Sequence, residues 1–249
     1  MQVIPVLDLL DGHVVRAVRG DRTAYRPIQS LLTAASEPLP IARALLATSG
    51  ASTLYIADLG AILQRGAHAP VLATLRAALP GIELWLDAGY ADYASMRALF
   101  DHIDAITQRD APAAHHHSLA TLVPVFGTES LRDRHALHTA QAAGLAPILS
   151  LDQRNGELLA ATSLERSSAW WPSRVIAMTL DQVGSYAGPD LDTFERIRAS
   201  AAPHTTVIGA GGIRNRADLG AAAGTGAAAW LVASALHDRQ ISVAHAQTS

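Results

Sequence analysis

The chain has 249 residues, of which 49% are hydrophobic and 16% are charged, and its formal net charge is −3. No basic surplus points to nucleic acid and no long apolar run points to a membrane, so we expect a cytoplasmic protein with neither partner. Cysteine is absent, and all 19 basic residues are arginine. These absences exclude disulfides, thiolate nucleophiles, Cys-ligated zinc, lysine Schiff bases and the lysine-dependent P-loop.

Short apolar segments of β type alternate with Ala-, Leu- and Arg-rich segments of helical period. Predicted strands cover 2–7, 53–57, 82–86, 121–126, 146–151, 174–179, 205–209 and 229–233. Predicted helices between them cover 38–49, 68–79, 91–101, 130–143, 190–201 and 215–224. Such alternation predicts an α/β protein with a buried parallel sheet, and eight units match a (β/α)8 TIM barrel; an open doubly wound sheet is the alternative. No Pro-, Gly- or Ser-rich linker divides the chain, so we expect one domain over 1–249.

Two similar stretches each end a predicted strand on an aspartate, at Asp8 and Asp152. A glycine follows four residues later in both, at Gly12 and Gly156. In a barrel of two similar half-barrels these carboxylates would face one mouth from opposite sides, because active sites lie at the carboxyl ends of the strands. One carboxylate could then take a proton and the other return it. Aspartates after strands also cap turns, but the matched positions favour catalysis.

The spacing between matched segments falls along the chain, so the first half carries two extra pieces, within 18–40 and within 102–118. The first would be a long loop over the mouth, which predicts a lid. His115, His116 and His117 lie in the second piece. Because adjacent histidines do not converge on one ion, we interpret them as a solvated loop and predict no metal site.

Further polar residues follow other predicted strands. Asp58 ends the second strand and either binds substrate or caps a turn; the two interpretations stay open. Thr179 and Asp181 follow the sixth strand and are weaker candidates for binding substrate hydroxyls. Trp170 and Trp171 either cover the mouth or pack against the core, and packing is favoured.

The segment Gly209-Ala210-Gly211-Gly212 is the best signal for anion binding. Small residues let backbone N–H groups approach a phosphate, and the N-terminus of the following helix adds a favourable dipole. The loops after the seventh and eighth strands of such barrels commonly form the phosphate site, which adds Ala233 and Ser234. The alternative is an ordinary tight turn between a strand and a helix.

Together these segments resemble the histidine-biosynthesis half-barrel family, which contains the phosphoribosyl-formimino (ProFAR) isomerase and the cyclase subunit of imidazole-glycerol-phosphate synthase. The resemblance runs nearly from end to end, and the opening segment is its most specific part. It rests on the segments 4–12, 14–21, 54–59, 150–152 and 209–213. The opening segment leans towards the isomerase, because the cyclase has a lysine here and this chain has none.

The resemblance implies a (β/α)8 fold without metal or organic cofactor and an Amadori rearrangement of an aminoaldose phosphate to an aminoketose. By position, Asp8 would be the general base at C2, and Asp152 the general acid that helps to open the furanose ring. Arg16, Arg19 and Gly20, in the opening segment, are predicted to bind substrate.

Three segments depart from the family pattern. The first-half glycine-rich turn reads Asp87-Ala88-Gly89-Tyr90, Val232-Ala233-Ser234 replaces the usual Val-Gly-Arg, and the loop over 182–190 lacks the usual acidic-Gly-Thr pattern. Asp87 would repel a phosphate in the mouth, on the order of a few kcal/mol for a close, partly buried pair. The 182–190 loop resembles a divergent HisA-like subgroup associated with one-carbon metabolism.

These departures leave three functions open. The first is an isomerase of a phosphorylated sugar or amino-sugar, with a substrate altered from that of the histidine pathway. The second is a lyase or cyclase acting on a small monophosphate in the biosynthesis of a one-carbon cofactor (methanofuran or methanopterin). The third is a non-catalytic ligand-binding barrel. The oligomeric state stays open.

Overall fold

The computed structural model describes residues 1–19, 21, 25–110, 119–161 and 168–241. Among them eleven strands occur: β1 (Gln2–Leu10), β2 (His13–Arg16), β3 (Arg26–Pro27), β4 (Thr53–Asp58), β5 (Glu83–Asp87), β6 (Thr121–Gly127), β7 (Ile148–Arg154), β8 (Glu157–Leu158), β9 (Arg174–Thr179), β10 (Thr206–Ala210) and β11 (Ala229–Val232). Strands β1, β4, β5, β6, β7, β9, β10 and β11 pair in parallel in this order, and β11 pairs with β1. The chain is therefore a closed (β/α)8 barrel, as the alternation predicts.

Helices connect the barrel strands and cover the outside of the ring. They are α1 (Pro38–Ser49), α2 (Leu59–Ile62), α3 (Ala69–Ala78), α4 (Tyr93–Asp110), α5 (His135–Ala142), α6 (Leu191–Ser200), α7 (Arg216–Gly224) and α8 (Ser234–His237). Helix α4 extends nine residues beyond the predicted 91–101 and absorbs the first part of the 102–118 insertion. The three consecutive histidines of that insertion lie outside the described residues. None of the described helices is both long and apolar enough to cross a bilayer.

The repeated aspartate-to-glycine spacing corresponds to a hairpin at the end of one strand in each half. Strand β1 turns back into β2 with Leu10 opposite His13, and β7 turns back into β8 with Arg154 opposite Glu157. The two-residue turns, 11–12 and 155–156, have positive φ at both positions, as a type I′ turn requires. The two half-barrels thus share a structural device, and each hairpin continues a barrel strand beyond its aspartate.

Two apolar layers hold the barrel together. One fills the interior with inward side chains, such as Ile4 of β1, Val125 of β6 and Ile208 of β10. The other lies between the strands and the helices and includes Leu86 of β5 and Phe126 of β6. Adjacent residues of one strand belong to different layers because successive side chains point to opposite faces. This alternation decides which strand-end residues reach the interior.

The predicted lid lies against the loop that follows β9. The N–H of Arg19 donates to the carbonyl of Val183 at 2.7 Å. A Cβ on Gly184 would stand 2.1 Å from the carbonyl oxygen of Ala17, so the two backbones are in close contact. The piece within 18–40 is not a plain loop, since it contains β3, which pairs with β2. The double tryptophan packs against the core, in agreement with the packing interpretation.

Candidate active site

A single large cavity opens at the carboxyl ends of the barrel strands among the described residues. It encloses about 1140 Å³, counted out to its open mouth. Its wall contains three strand-end carboxylates, Asp8 of β1, Asp87 of β5 and Asp152 of β7, each from a different strand. The turn after β10 and the residues after β11 also form part of the wall. This is the end of the barrel at which catalytic residues of TIM-barrel enzymes lie.

Asp8 faces the cavity without a fixed partner. It is partly exposed, and no side-chain hydrogen bond to its carboxylate occurs within the described ranges. Burial raises the pKa of Asp8 to about 7, because the surrounding apolar wall disfavours the ionised form. An aspartate with this pKa is a competent proton acceptor near neutral pH, and its oxygens are available to a ligand.

Asp152 is more firmly held. The Ser150 hydroxyl donates to its Oδ1 at 2.7 Å, and the N–H of Glu129 donates to its Oδ2 at 3.1 Å. Burial and the neighbouring charge of Asp87 raise the pKa of Asp152 to about 7, against the effect of the two hydrogen bonds. The carboxyl group is thus fixed in orientation and still able to carry a proton at neutral pH.

Asp87 is the third inward carboxylate. Its Oδ1 accepts the N–H of Gly89 at 3.0 Å, and its Oδ2 accepts the hydroxyl of Tyr55 at 3.2 Å. Burial raises its pKa to about 6, and the two hydrogen bonds oppose this rise. Burial and the charges of all three aspartates raise the pKa of Tyr55, so its hydroxyl stays protonated. Tyr55 therefore remains a hydrogen-bond donor in the middle of the carboxylates.

Gly127, at the end of β6, lets two of these carboxylates share one side of the cavity. A Cβ at this position would stand 2.7 Å from Oδ2 of Asp152 and 3.4 Å from Oδ2 of Asp87. The first distance is shorter than any real Cβ contact, so a side chain here would displace Asp152. The space above Gly127 is thus occupied by carboxylate oxygens from both of its neighbouring strands.

The turn after β10 has the geometry expected for anion binding. Gly211 and Gly212 have φ values of 88° and 82°, and a Cβ on Gly212 would stand 2.1 Å from the carbonyl oxygen of Gly188. Among the described residues, the N–H of Gly212 has no acceptor. Ala210, Gly211 and Gly212 line the cavity together with Ala233 and Ser234. Gly209 instead lies under the ring of Trp230, which a Cβ would meet at 2.1 Å.

Asp58 is fully buried and does not line the cavity. Its carboxylate accepts the N–H of Ala61 at 3.1 Å, the N–H of His68 at 2.8 Å, and lies 2.7 Å from Nδ1 of the same histidine. All of these contacts connect β4 to the following helices. The geometry therefore favours the capping interpretation of Asp58 over the substrate-binding one.

Four other predicted substrate-binding residues also lie outside the wall of the large cavity, because protein groups already engage them. Arg16 donates to Asp238 at 2.7 Å and to the hydroxyl of Tyr186 at 2.6 Å, so it joins β2 to the end of α8 and to the loop after β9. Asp181 accepts the N–H of Asn155 at 2.6 Å and supports the β7–β8 turn. Thr179 is buried below the cavity, and Arg19 contacts the loop after β9 through its backbone. Gly20 lies outside the described residues.

Sequence reasoning missed Tyr55, Gly127 and Ser150 and interpreted Asp87 only as a damaged turn. The alternation of side chains along each strand indicates which strand-end residues point into the barrel. Asp8 lies opposite Ala57, and Ala57 lies opposite Asp87, so register places these three at one level of the barrel. Tyr55, two residues before Ala57, must then point inward as well.

Comparison with known proteins adds relatives of known and unknown function. An uncharacterised protein of Methanocaldococcus jannaschii is 27% identical over 239 residues, which cover 95% of this chain and 93% of the relative. A 1-(5-phosphoribosyl)-5-((5-phosphoribosylamino)methylideneamino) imidazole-4-carboxamide isomerase, or ProFAR isomerase, of Anaeromyxobacter dehalogenans is 30% identical over 266 residues, covering 99% and 98% of the two chains. The ProFAR isomerase of Cenarchaeum symbiosum is 26% identical over 261 residues, covering 98% and 97%.

The family described as histidine biosynthesis protein matches residues 2–242. This range contains every barrel strand and all three inward aspartates. The isomerases named above match along almost their whole length, so the relationship includes both half-barrels. The chain belongs to the histidine-biosynthesis protein family and is related to its ProFAR isomerases.

Proposed function

We propose that the protein is an isomerase of the ProFAR isomerase kind that acts on a phosphorylated amino-sugar other than ProFAR itself. The observation that carries this proposal is the pair formed by Asp8 and Asp152. They face one cavity from matched strands of the two half-barrels, and each has a pKa of about 7. Two carboxyl groups that can each hold or release a proton at neutral pH are what an Amadori rearrangement needs.

The proposed reaction uses Asp152 first. Its proton goes to the ring oxygen of the furanose, the bond from C1 to that oxygen breaks, and the nitrogen lone pair forms the C1–N double bond. Asp8 then removes the proton from C2, which gives an enolamine that tautomerises to the aminoketose. The contacts fit this division, because Ser150 and the Glu129 N–H fix the acid in place while Asp8 stays open to the ligand.

The turn at 210–213 is the proposed grip for the substrate phosphate. Positive φ at two consecutive glycines exposes backbone amides to the cavity, and such concave amide groups bind anions. Ser234 is the proposed second contact, from the adjacent residues after β11. Gly209 supports the turn through its contact with Trp230, whose ring nitrogen donates to the carbonyl of Gly211 at 3.0 Å.

The test is hydrogen exchange with solvent during turnover of a panel of N-substituted 5-phosphoribosylamines in D₂O. Wild-type protein should convert the substrate that it accepts to an aminoketose with deuterium at C1, because C2 becomes the carbonyl carbon and C1 takes up a solvent hydrogen, and NMR measures the rate. Asp8→Asn and Asp152→Asn should each lower this rate by about 10²–10⁴-fold, the usual contribution of a positioned proton-transfer group. Asp181→Asn is the matched control, because Asp181 lies at the same end of the barrel but outside the cavity wall. Near-normal exchange in both active-site variants would refute the paired-carboxylate mechanism.

A place in one-carbon metabolism stays a separate prediction, carried only by the loop over 182–190. It concerns the pathway and not the chemistry of the cavity. Neighbouring genes for the synthesis of a one-carbon cofactor would support it, and neighbouring histidine genes would contradict it.

A further inference from the structure

We infer that Asp87 determines the substrate class: it takes the place of the first-half phosphate grip and binds a hydrogen-bond-donating group, an ammonium or a hydroxyl, of a substrate with one phosphate. The inference rests on the proposed function, in which the turn at 210–213 holds that phosphate. Asp87 lies on the opposite side of the same cavity from that turn. The proposed roles of Asp152 as acid and Asp8 as base do not determine which ligand group binds there.

In the turn that follows β5, the protein itself binds the amide of the glycine. Gly89 has a φ of 66° and corresponds by the internal repeat to Gly212. In the second half the matching strand-end residue is Ala210, which has no polar group, and the glycine N–H stays available. In the first half the Oδ1 of Asp87 accepts the N–H of Gly89 at 3.0 Å. The amide that could bind a phosphate is therefore occupied by the protein itself.

The other carboxylate oxygen of Asp87 can still accept a hydrogen bond from a ligand. Oδ2 of Asp87 accepts the Tyr55 hydroxyl and lies 3.4 Å from the Cβ position of Gly127, next to Oδ2 of Asp152. Since a carboxylate offers about four acceptor sites, these contacts leave Asp87 able to accept from a ligand. Gly127 has no side chain to block that approach.

The charge of the cavity wall disfavours a second phosphate beside Asp87. Asp8, Asp87, Glu129 and Asp152 all line the cavity, and Arg154 is the guanidinium in the described wall. A second phosphate beside Asp87 would put like charges together with little water between them, whereas a donor group would be attracted. The described side chains contain no group of three or more His, Asp or Glu arranged to hold a metal ion. The complementary ligand is thus an organic donor group.

The experiment compares three flexible ligand series with the same carbon chains, from three to six carbons. Each ligand has a phosphate at one end and an ammonium, a hydroxyl or a second phosphate at the other. Calorimetry gives Kd for each ligand and for inorganic phosphate. Wild-type protein should bind the best ammonium or hydroxyl ligand about tenfold or more tightly than the bisphosphate of equal length, since like charges placed together cost at least this much.

Asp87→Asn should bring these affinities within about threefold of each other while leaving the Kd for inorganic phosphate unchanged, because the amide oxygen can still accept the N–H of Gly89 while the negative charge and the second acceptor oxygen are lost. Asp101→Asn, an exposed carboxylate on α4, removes the same charge outside the cavity and should leave the preference intact. Equal binding of all three series to wild type, or an unchanged preference in Asp87→Asn, would overturn the inference alone. Failure of wild type to bind inorganic phosphate would overturn the proposed function, and the inference with it.

Discussion

The turns after the corresponding strands β5 and β10 differ in whether the protein itself binds the amide of the turn glycine. In the second half β10 ends on Ala210, and the N–H of Gly212 has no acceptor within the described chain. In the first half β5 ends on Asp87, whose carboxylate accepts the N–H of Gly89. Gly89 and Gly212 both have positive φ, but Gly211 also has positive φ whereas the corresponding Ala88 does not, so the two turns differ in backbone conformation. The side chain at the strand end is the second difference.

On the proposed function, this difference would let a barrel of two similar halves change its ligand without changing its fold. At the end of β10 the inward residue is an alanine, which leaves the N–H of Gly212 unbound within the described chain, whereas at the end of β5 it is an aspartate that binds the N–H of Gly89. The same aspartate adds a negative charge beside Asp152 and helps to raise its pKa. Asp87 would thus affect both the ligand group that the cavity binds and the pKa of Asp152, the proposed proton donor.

The largest expected effect concerns ProFAR itself, which carries a phosphate at each end. We expect kcat/KM for ProFAR at least about 100-fold below the usual range of about 10⁴–10⁸ M⁻¹s⁻¹, because binding energy at a remote phosphate also helps to position the reacting centre. Purified-protein kinetics measure this directly, with an established ProFAR isomerase as the positive control. Robust growth of a strain lacking the isomerase on this protein, with kcat/KM inside that range, would show that Asp87 does not disable the first-half grip.

A second prediction adds the strand-end carboxylate of the first-half turn to the second-half turn. Ala210→Asp places a carboxylate where it can accept the N–H of Gly212, as Asp87 does for Gly89. Wild type should bind about one inorganic phosphate, and the variant should bind it at least about tenfold more weakly, since a phosphate and a carboxylate would compete for the same amide. Calorimetric titration gives both the stoichiometry and the affinity.

The control for Ala210→Asp is Ala210→Ser, which adds a polar atom without a charge. It should keep the affinity for inorganic phosphate within a few-fold of the wild-type value. Unfolding curves of both variants verify that the barrel remains folded. Two phosphates per wild-type chain, or full affinity in Ala210→Asp, would contradict the difference between the halves.

Much of the fold could be predicted because the barrel strands are buried on both faces. Continuous apolar segments located all eight barrel strands, and the helical segments between them located α1 and α3 to α7. The short strands β2, β3 and β8 were not predicted. Strands of two to four residues depend on the register of the neighbouring strand, which local composition does not contain.

The site could be predicted only in part, because an aspartate near a strand end can line the cavity or can bind backbone amides away from it. Asp8, Asp58, Asp152 and Asp181 all lie near strand ends, yet Asp8 and Asp152 line the cavity while Asp58 and Asp181 bind backbone amides outside its wall. What separates them is whether the side chain points to the barrel interior. Counting alternate residues from Asp8 would have identified Tyr55 and Asp87 as inward, and this count needs the strand register that the structure supplies.

The smallest expected effect is on stability, and its sign follows from the raised pKa values. Asp152 has a pKa of about 7 in the folded protein against the ordinary aspartate value of 3.8, so the folded state binds its proton more tightly than the unfolded state. Its contribution to stability is complete below about pH 4 and is lost as the pH rises to about 7. Each unit between the folded and unfolded pKa is worth about 1.4 kcal/mol, and 1 kcal/mol moves the unfolding midpoint of a domain this size by about 2–4 °C.

We therefore expect the midpoint of wild type, relative to that of Asp152→Asn, to fall by several degrees between pH 4 and pH 8. The comparison with the variant is necessary because His237 acts in the opposite direction. Burial lowers the pKa of that histidine to about 4, so its contribution is lost as the pH falls. Since His237 is present in both proteins, its effect cancels in the difference. Thermal unfolding followed by circular dichroism across this range provides the test, and parallel pH profiles for the two proteins would mean that Asp152 ionises in the barrel as freely as in water.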